Sequence, residues 1–294
     1  MQTDETFVRM LAATPDVQPP KLYEIYHENT KMHPLLEARA VNAASNPNAA
    51  LNQMTNQVAI AEIESTVATG GKKYRSATRH PLSHSLDTIK DVTLTDALIR
   101  RESVRSFQPK LLTLDQLSVL CQLTYGWNAK RDLELEGGSI SFRFTPSSGR
   151  LYPLELYLMV PQTFSDENDN NCDIWHYEPT SYAIECIHRV KESQIRAAFV
   201  QFPVTMPSVV ALLTGVIPRL TWKYGDRAYR YAHLEAGHVG QNLLLAATAL
   251  NLGACPIVSF YDDAIHDLLD IDGVSEIALY TFFIGHPDAS DPQM

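Results

Sequence analysis

The stretch "TWKYGDRAYRYAHLEAGHVGQNLLLAATALNLG", residues 221–253, joins two kinds of sequence. From about 227 to 251 its apolar and small residues recur at helical spacing, and Gly253 closes the run. The beginning is different, because Lys223, Tyr224, Arg227, Tyr229, Arg230 and Tyr231 crowd the place where the helix enters. Two readings fit locally: a solvated first turn, or a basic and aromatic cluster delivered to a site. Local sequence alone favours the solvated face, since long cationic side chains pack their stems and keep their heads in water.

Working outward, "EIALYTFFIGHP" (276–287) reads as a buried strand. On the N-terminal side, "LELYLMV" (154–160) alternates and is dense in β-formers, and "CDIWHYEP" (172–179) follows the turn-rich "SDENDNN". These two read as adjacent antiparallel strands. "TLTDALIRRE" (93–102) offers Thr93 as an N-cap with Leu94, Ala97 and Leu98 at helical spacing. "TLDQLSVLCQLTYG" (113–126) repeats the formula, with Leu114, Leu117, Leu120 and Leu123 on one face and Gly126 as the stop. Strands interleaved with helices give an α+β layered domain over 91–294. Residues 1–90 are richer in Ala, Asn, Ser and Thr and read as a mostly helical N-terminal segment, with helices near 33–43 and 50–66. The breaker "TGG" and the basic run "KKYR" (72–75) follow, and the run reads as a solvated loop rather than a dock for an acidic peptide.

The chain has 294 residues, 45% of them hydrophobic, a formal net charge of −10 and a pI near 5.4. That balance repels nucleic acid. No apolar stretch reaches membrane-span length and "MQTDETFVRML" has no signal-like apolar region, so the expected location is cytoplasmic. The four cysteines, Cys121, Cys172, Cys186 and Cys255, are scattered and read as free thiols. In "HPLSH", Pro81 argues against one helix presenting both His80 and His84, and His233 and His238 are five apart, so no metal centre is expected.

Two further segments carry chemistry. "IRRESVRSF" (99–107) gathers Arg100, Arg101 and Arg105 around Ser103, a set of donors suited to a phosphomonoester. "FRFTPSSGRLYPLELY" (142–157) places Pro146, Ser147, Ser148 and Gly149 in a turn whose hydroxyls and backbone N–H groups can approach a flat polar ring. Alone, the first is equally a solvated helix end and the second a strand-entry turn.

Taken in order, "RRESVRSF", "TPSSGRLYPLELYL", "WHYEP", "KYGDRAYRYAHLEAGHVGQNLLLAATALNLGACPIVSFYDD" and "LLDIDGVSEIALYTFFIG" resemble the SagB-type dehydrogenase branch of the FMN-dependent nitroreductase family. The resemblance covers residues 93–287, and "YEIYHENTK" (23–31) resembles the segment that branch places ahead of its flavin domain. It implies a nitroreductase-like α+β fold, with a central, mostly antiparallel sheet flanked by helices, in an intertwined homodimer. It also implies FMN at the subunit interface. Arg101, Ser103 and Arg105 would grip its phosphate and ribityl chain. Pro146, Ser147, Ser148 and Gly149 would reach the ring from the other subunit, and Pro256, Ile257 and Val258 would line the ring's other side. Ala236, Gly237, Gly240, Ala246 and Ala247 would allow close helix approach at the interface.

The branch converts thiazolines and oxazolines in peptides to thiazoles and oxazoles, with electrons passing to dioxygen. Its catalytic Lys-Tyr pair reads Lys223-Tyr224 here. A neighbouring ammonium favours phenolate, and a desolvated lysine can itself be a base, so either member could take the proton. The expected partners are an azoline-bearing peptide and a cyclodehydratase. Two departures stand out: "GHPDASDPQM" supplies no C-terminal cation for the phosphate, leaving Arg100 or Arg143 as substitutes, and Arg150 stands where relatives have a small residue. The same fold could instead serve an NAD(P)H-dependent nitro or quinone reductase, or a non-catalytic subunit of a peptide-modifying complex.

Overall fold

The computed structural model describes residues 21–31, 71–89, 92–128, 142–163 and 170–288, together with the backbone at 133–135 and 138–140. The expected helices at 33–43 and 50–66 lie outside these residues. Met1–Ala59 and Ile60–Met294 form separate units. In the first, helix α1 (Leu22–Asn29) starts where the Lys21 N–H donates to the Glu24 carboxylate, and it exposes Leu22, Tyr23 and Ile25.

The second unit is built on one antiparallel sheet. Its strands are β1 (Thr78–Pro81), β4 (Leu154–Pro161), β5 (Asn171–Glu178), β6 (Ala183–Lys191), β7 (Val209–Val216), β8 (Gly253–Ile257) and β9 (Glu276–Gly285). Among the described residues their order is β1-β6-β5-β4-β7-β9-β8, and β2 (Leu133–Leu135) pairs separately with β3 (Gly138–Ile140). The helices are α2 (Leu94–Arg100), α3 (Leu114–Tyr125), α4 (Glu192–Ala197), α5 (Pro218–Tyr224), α6 (Ala228–Ala249) and α7 (Asp262–Leu269). The chain therefore has the nitroreductase-like α+β architecture expected from its sequence. No helix among the described residues is long and apolar enough to cross a membrane.

The two-residue period of the strands sorts the core into two layers. Leu154, Leu156 and Leu158 of β4, Ala211 and Leu213 of β7, and Phe282 and Ile284 of β9 face the layer that holds α3 and α6. Their neighbours Tyr157, Met159, Val210, Leu212 and Phe283 face the opposite layer, closed by Ile195 of α4 and by Ile265 and Leu269 of α7. Each fully buried Leu, Ile, Val, Met or Phe among them is worth about 1.5–3 kcal/mol relative to exposure. Gly240 lets α6 approach β9, since a Cβ there would lie 2.7 Å from Phe282. Ala236, Gly240, Ala246 and Ala247 are thus buried in the chain's own core; of the small residues expected at a dimer interface, Gly237 faces outward into open space.

The helix caps follow the sequence. Thr93 accepts the Asp96 N–H, and Thr113 and Gln116 form a reciprocal capping box. The expected leucine stripe of α3 is displaced, because Leu117 and Leu120 are buried while Leu114 is exposed. Of the apolar positions of α2, Ala97 is buried and Leu94, Leu98 and Ile99 are exposed.

The "KKYR" run departs from its solvated-loop reading. The Lys72 ammonium donates to Tyr157 Oη at 3.0 Å and to Glu276 Oε2 at 2.8 Å, and its backbone N–H donates to Glu155 at 3.1 Å. The Tyr74 N–H donates to Glu185 at 3.1 Å, and its ring meets His176 edge-on. Only Lys73 and Arg75 of the run stand in solvent. Beneath this strap, Arg79, Glu185, His176 and Tyr157 lie in register across β1, β6, β5 and β4. His176 is bonded by Glu155 on one side (2.8 Å) and Glu185 on the other (3.3 Å), and Arg219 completes the pairing of Glu155. Burial alone would raise the Glu155 carboxyl, but the Arg219 charge and the His176 bond hold it at about 2. Burial would lower the His176 imidazole, and the two carboxylates raise it instead.

Candidate active site

Lys223 and Tyr224 close α5 rather than opening the long helix. Gly225, at φ 54° and ψ −144°, then redirects the chain through a single 3-10 turn into α6. Tyr224 is wedged by the Tyr231 ring, edge-on at 5.0 Å, and Tyr231 is in turn fixed by the Arg227 Nε at 2.9 Å. The Lys223 ammonium lies 5.6 Å from the centre of the Tyr224 ring. Arg227 and Tyr231 therefore buttress the pair.

The turn predicted to contact a flat ring meets this pair within the same chain. Gly149 has φ 61°, and a Cβ built on it would lie 2.5 Å from Tyr224 Oη and 3.1 Å from Lys223 Nζ. The left-handed conformation continues at Arg150 (φ 59°) and recurs at Tyr152 (φ 44°), a costly arrangement for residues with side chains. It is held by Tyr152, whose N–H donates to Ser147 Oγ at 2.9 Å and whose hydroxyl accepts the Arg143 N–H at 3.0 Å. Pro146 is exposed, and Ser147 and Ser148 are half-buried.

Arg143 does not present its guanidinium to solvent. It lies within 5 Å of the Tyr125, Trp127 and Tyr152 ring centres, so it does not offer the substitute phosphate cation suggested by its sequence position. Next to it, Glu235 of α6 is buried; Tyr125 donates to its Oε1 at 3.0 Å, while Oε2 has no partner of hydrogen-bonding geometry. Burial raises this carboxyl to about 7, against the opposing pull of the Ser147 hydroxyl, Tyr125, the Arg143 charge and the Ser148 N–H. No chemical motif in the sequence marks Glu235. Its signal was periodicity: an acid at the buried spacing of Ala228, Ala232, Val239 and Leu243.

A second group forms at the far end of α6. Ser103 bridges Ala254 in parallel, and the Val104 N–H donates to Ala254 O at 3.1 Å. Gly253 permits this contact, because a Cβ there would collide with Val104. The loop carrying Arg101, Ser103 and Arg105 is thereby fixed to the edge strand that carries Pro256 and Ile257. Arg101 is half-buried and Arg105 exposed. Val200 meets the same edge at Ser259, so Pro256, Ile257 and exposed Val258 lie between two pinned points. Arg100 is spent on the end of α6, donating to Thr248 O and Asn251 Oδ1.

The donor set suits a flavin mononucleotide. Two arginines and a serine stand at one end of β8, followed by an outer strand edge, and a hydroxyl-rich glycine turn stands elsewhere. The first group adjoins the C-terminal end of α6, whereas the segment leading into the turn lies along the middle of that helix, where Asn242 donates to Thr145 at 2.9 Å.

Comparison with known proteins follows the same lines. A family model described as the nitroreductase family matches residues 98–286. A Methanocaldococcus jannaschii protein named as a nitroreductase is 35% identical over 188 residues, covering 63% of this chain and 88% of that protein. The Escherichia coli microcin B17-processing protein McbC is 23% identical over 143 residues, covering 48% of this chain and 53% of its own length. The structure of the E. coli microcin synthetase McbBCD complex with truncated pro-MccB17 matches with a TM-score of 0.53 at 20% identity, covering 75% of this chain and 79% of the matched one.

Proposed function

This chain belongs to the nitroreductase family of oxidoreductases, and from that premise we propose that it is an FMN-dependent dehydrogenase of the SagB type, oxidising thiazoline or oxazoline rings in a peptide to azoles. The observation that carries this reading is the contact of Lys223 and Tyr224 with the Gly149 turn. Azoline oxidation needs a proton taken from the ring carbon derived from the peptide Cα, and a base held beside the ring. Tyr224, wedged by Tyr231 and faced by the Lys223 ammonium, is held for that task; Lys223 is the alternative base. FMN, when bound, supplies the acceptor for the hydride lost from the neighbouring ring carbon, and dioxygen takes the electrons onward. Arg101, Ser103 and Arg105 would hold the phosphate end. Pro256, Ile257 and Val258, with Pro146, Ser147, Ser148 and Gly149, would hold the ring.

A homodimer, which the resemblance implies, belongs to this reading: each chain would carry two half-sites, and a second copy would bring the Gly149 turn of one chain to the β8 edge of the other. Exposed Leu94, Leu98 and Ile99 on α2 give such a copy an apolar surface to cover. The name of the processing protein and the propeptide in the matched complex support a peptide substrate and work beside partner subunits; that one of them is a cyclodehydratase is what the resemblance implies.

Mass spectrometry of an azoline-bearing peptide incubated with the protein tests the reading, with loss of two hydrogens per ring as the expected result. Lys223→Ala and Tyr224→Phe should keep FMN and lose that activity. Rapid NAD(P)H consumption with nitroaromatics and no ring oxidation would establish a reductase instead, and a protein without FMN would leave a structural subunit.

A further inference from the structure

We propose that Glu235 is a positioning residue whose proton sets the Ser147–Gly149 turn, and through it the seat of Lys223 and Tyr224. The proposal rests on the catalytic reading of that pair.

Glu235 is fixed on one side only. Tyr125 Oη accepts the Leu154 N–H at 3.1 Å, so its own proton is committed to Glu235 Oε1. That leaves Oε2 buried without a hydrogen-bond partner, while the Ser147 hydroxyl and the Ser148 N–H lie close enough to the carboxyl to favour its charged form. With the carboxyl ionised, Oε2 is a pure acceptor and both groups of the turn can donate to it. With the carboxyl protonated, Oε2 carries a hydrogen, and the Ser148 N–H gains no acceptor there. The two states therefore pull the turn toward α6 or release it.

The turn is suited to respond. Three of its residues, Gly149, Arg150 and Tyr152, hold left-handed backbone conformations that persist only where neighbouring contacts fix them. One such contact is the bond from the Tyr152 N–H to Ser147 Oγ, the same hydroxyl that faces Glu235. At the other end of the turn, Gly149 touches Tyr224 Oη and Lys223 Nζ with no room for a methyl group between them. A displacement at Ser148 is thus passed one residue along to the proposed base. The titratable and charged groups around the carboxyl are Tyr125 from α3, and Arg143 and Tyr152 from the loop that leads into β4. Tyr125 and Tyr152 are both held neutral by burial, and Arg143 stays in its cage of rings. Within this surround Glu235 is the group free to change charge near neutrality, which burial permits by bringing it to about 7.

Hydrogen exchange of the FMN-loaded protein, corrected for intrinsic rates, reads the turn directly and does not depend on turnover. The Ser148 and Gly149 amides should become about tenfold better protected between pH 6 and pH 8. In Glu235→Gln that change should vanish. Ser147→Ala, which removes one donor to the carboxylate, should move the transition to higher pH, and it supplies the test if the glutamine variant does not fold. The kcat profile for azoline oxidation should lose its acidic limb in Glu235→Gln while substrate KM stays within about threefold. Protection that is identical at both pH values in wild type overturns the proposal. So does an unchanged acidic limb in Glu235→Gln. Failure of the catalytic reading gives a different result: the exchange transition follows Glu235, yet no variant and no wild-type protein removes hydrogen from an azoline.

Discussion

Gly149→Ala separates strain in the turn from displacement of the proposed base. At φ 61° an alanine costs about 1–2 kcal/mol over glycine, partly offset by a stiffer unfolded chain. That net cost should lower Tm by only a few degrees in a chain of this size. The contacts predict a larger effect on turnover. The new methyl would lie 2.5 Å from Tyr224 Oη, so reaching an ordinary contact of 3.4 Å requires a shift of about 0.9 Å, while Lys223 Nζ at 3.1 Å must yield a few tenths. A misplacement of about 1 Å at a reacting group is worth about 100-fold in rate, or about 2.7 kcal/mol of barrier. The assay is kcat/KM for azoline oxidation beside a thermal melt and a measurement of bound FMN. Gly273→Ala is the control: it imposes the same left-handed cost at φ 65°, against His266 instead of the Lys-Tyr pair, and should lower Tm while leaving kcat/KM unchanged. If Gly149→Ala kept its FMN and more than half of wild-type kcat/KM, Tyr224 would not be the positioned base.

Three other outcomes test the surrounding structure. Lys72→Met should cost about 1–3 kcal/mol in urea unfolding, because Glu276 loses its cation and Tyr157 a donor while their own hydrogen bond remains; an unchanged midpoint would make the strap a passive cover. Stability should peak at about pH 4.5, where the gain from Glu155 and the penalty from Glu235 balance. Glu155, depressed to about 2, contributes fully above its ordinary 4.5 and fades as pH falls through 2, whereas His176, raised, contributes fully below 6.5 and fades as pH rises through its elevated value. Glu235, raised to about 7, adds a penalty that grows between pH 4.5 and 7, so a flat profile from pH 5 to pH 8 would contradict the His176 and Glu235 assignments, and unchanged stability from pH 5 to pH 2 would contradict that of Glu155. With Cys121, Cys172 and Cys255 buried, a thiol reagent should find at most Cys186 in the native protein and all four in denaturant.

Elements whose pattern is local were legible in the sequence. The strands near 154–160, 172–179 and 276–287 and the helix near 227–251 appear within a few residues of their expected bounds. Strands β6, β7 and β8 were not named in advance. "AIECIHRVK" carries charges that make sense only beside His176 and Arg79, and "VVALLTGV" is an apolar run whose period cannot distinguish strand from helix. The same limit explains "KKYR": nothing in four residues reveals that Glu155, Glu185 and Glu276, distant in sequence, wait for Lys72 and Tyr74. Lys223 and Tyr224 were named by resemblance, but their contact with Gly149 required a glycine conformation and a fold. Arg143 shows the opposite error, since its charge suggested a phosphate and three rings enclose it instead.

The strap across the sheet also limits where the chain can be cut. A truncated chain beginning at residue 91, where the patterned sequence starts, would leave Glu185 without Arg79 and the Tyr74 N–H, and Glu276 without Lys72. It would also strip β1 from β6 and turn Ala183–Cys186 into an open sheet edge. Buried carboxylates stripped of Lys72 and Arg79 and an unpaired edge both favour aggregation over folding. For recombinant work, a soluble fragment has to begin before Lys72, and a protease that nicks the strap should inactivate the protein without touching a residue of either half-site.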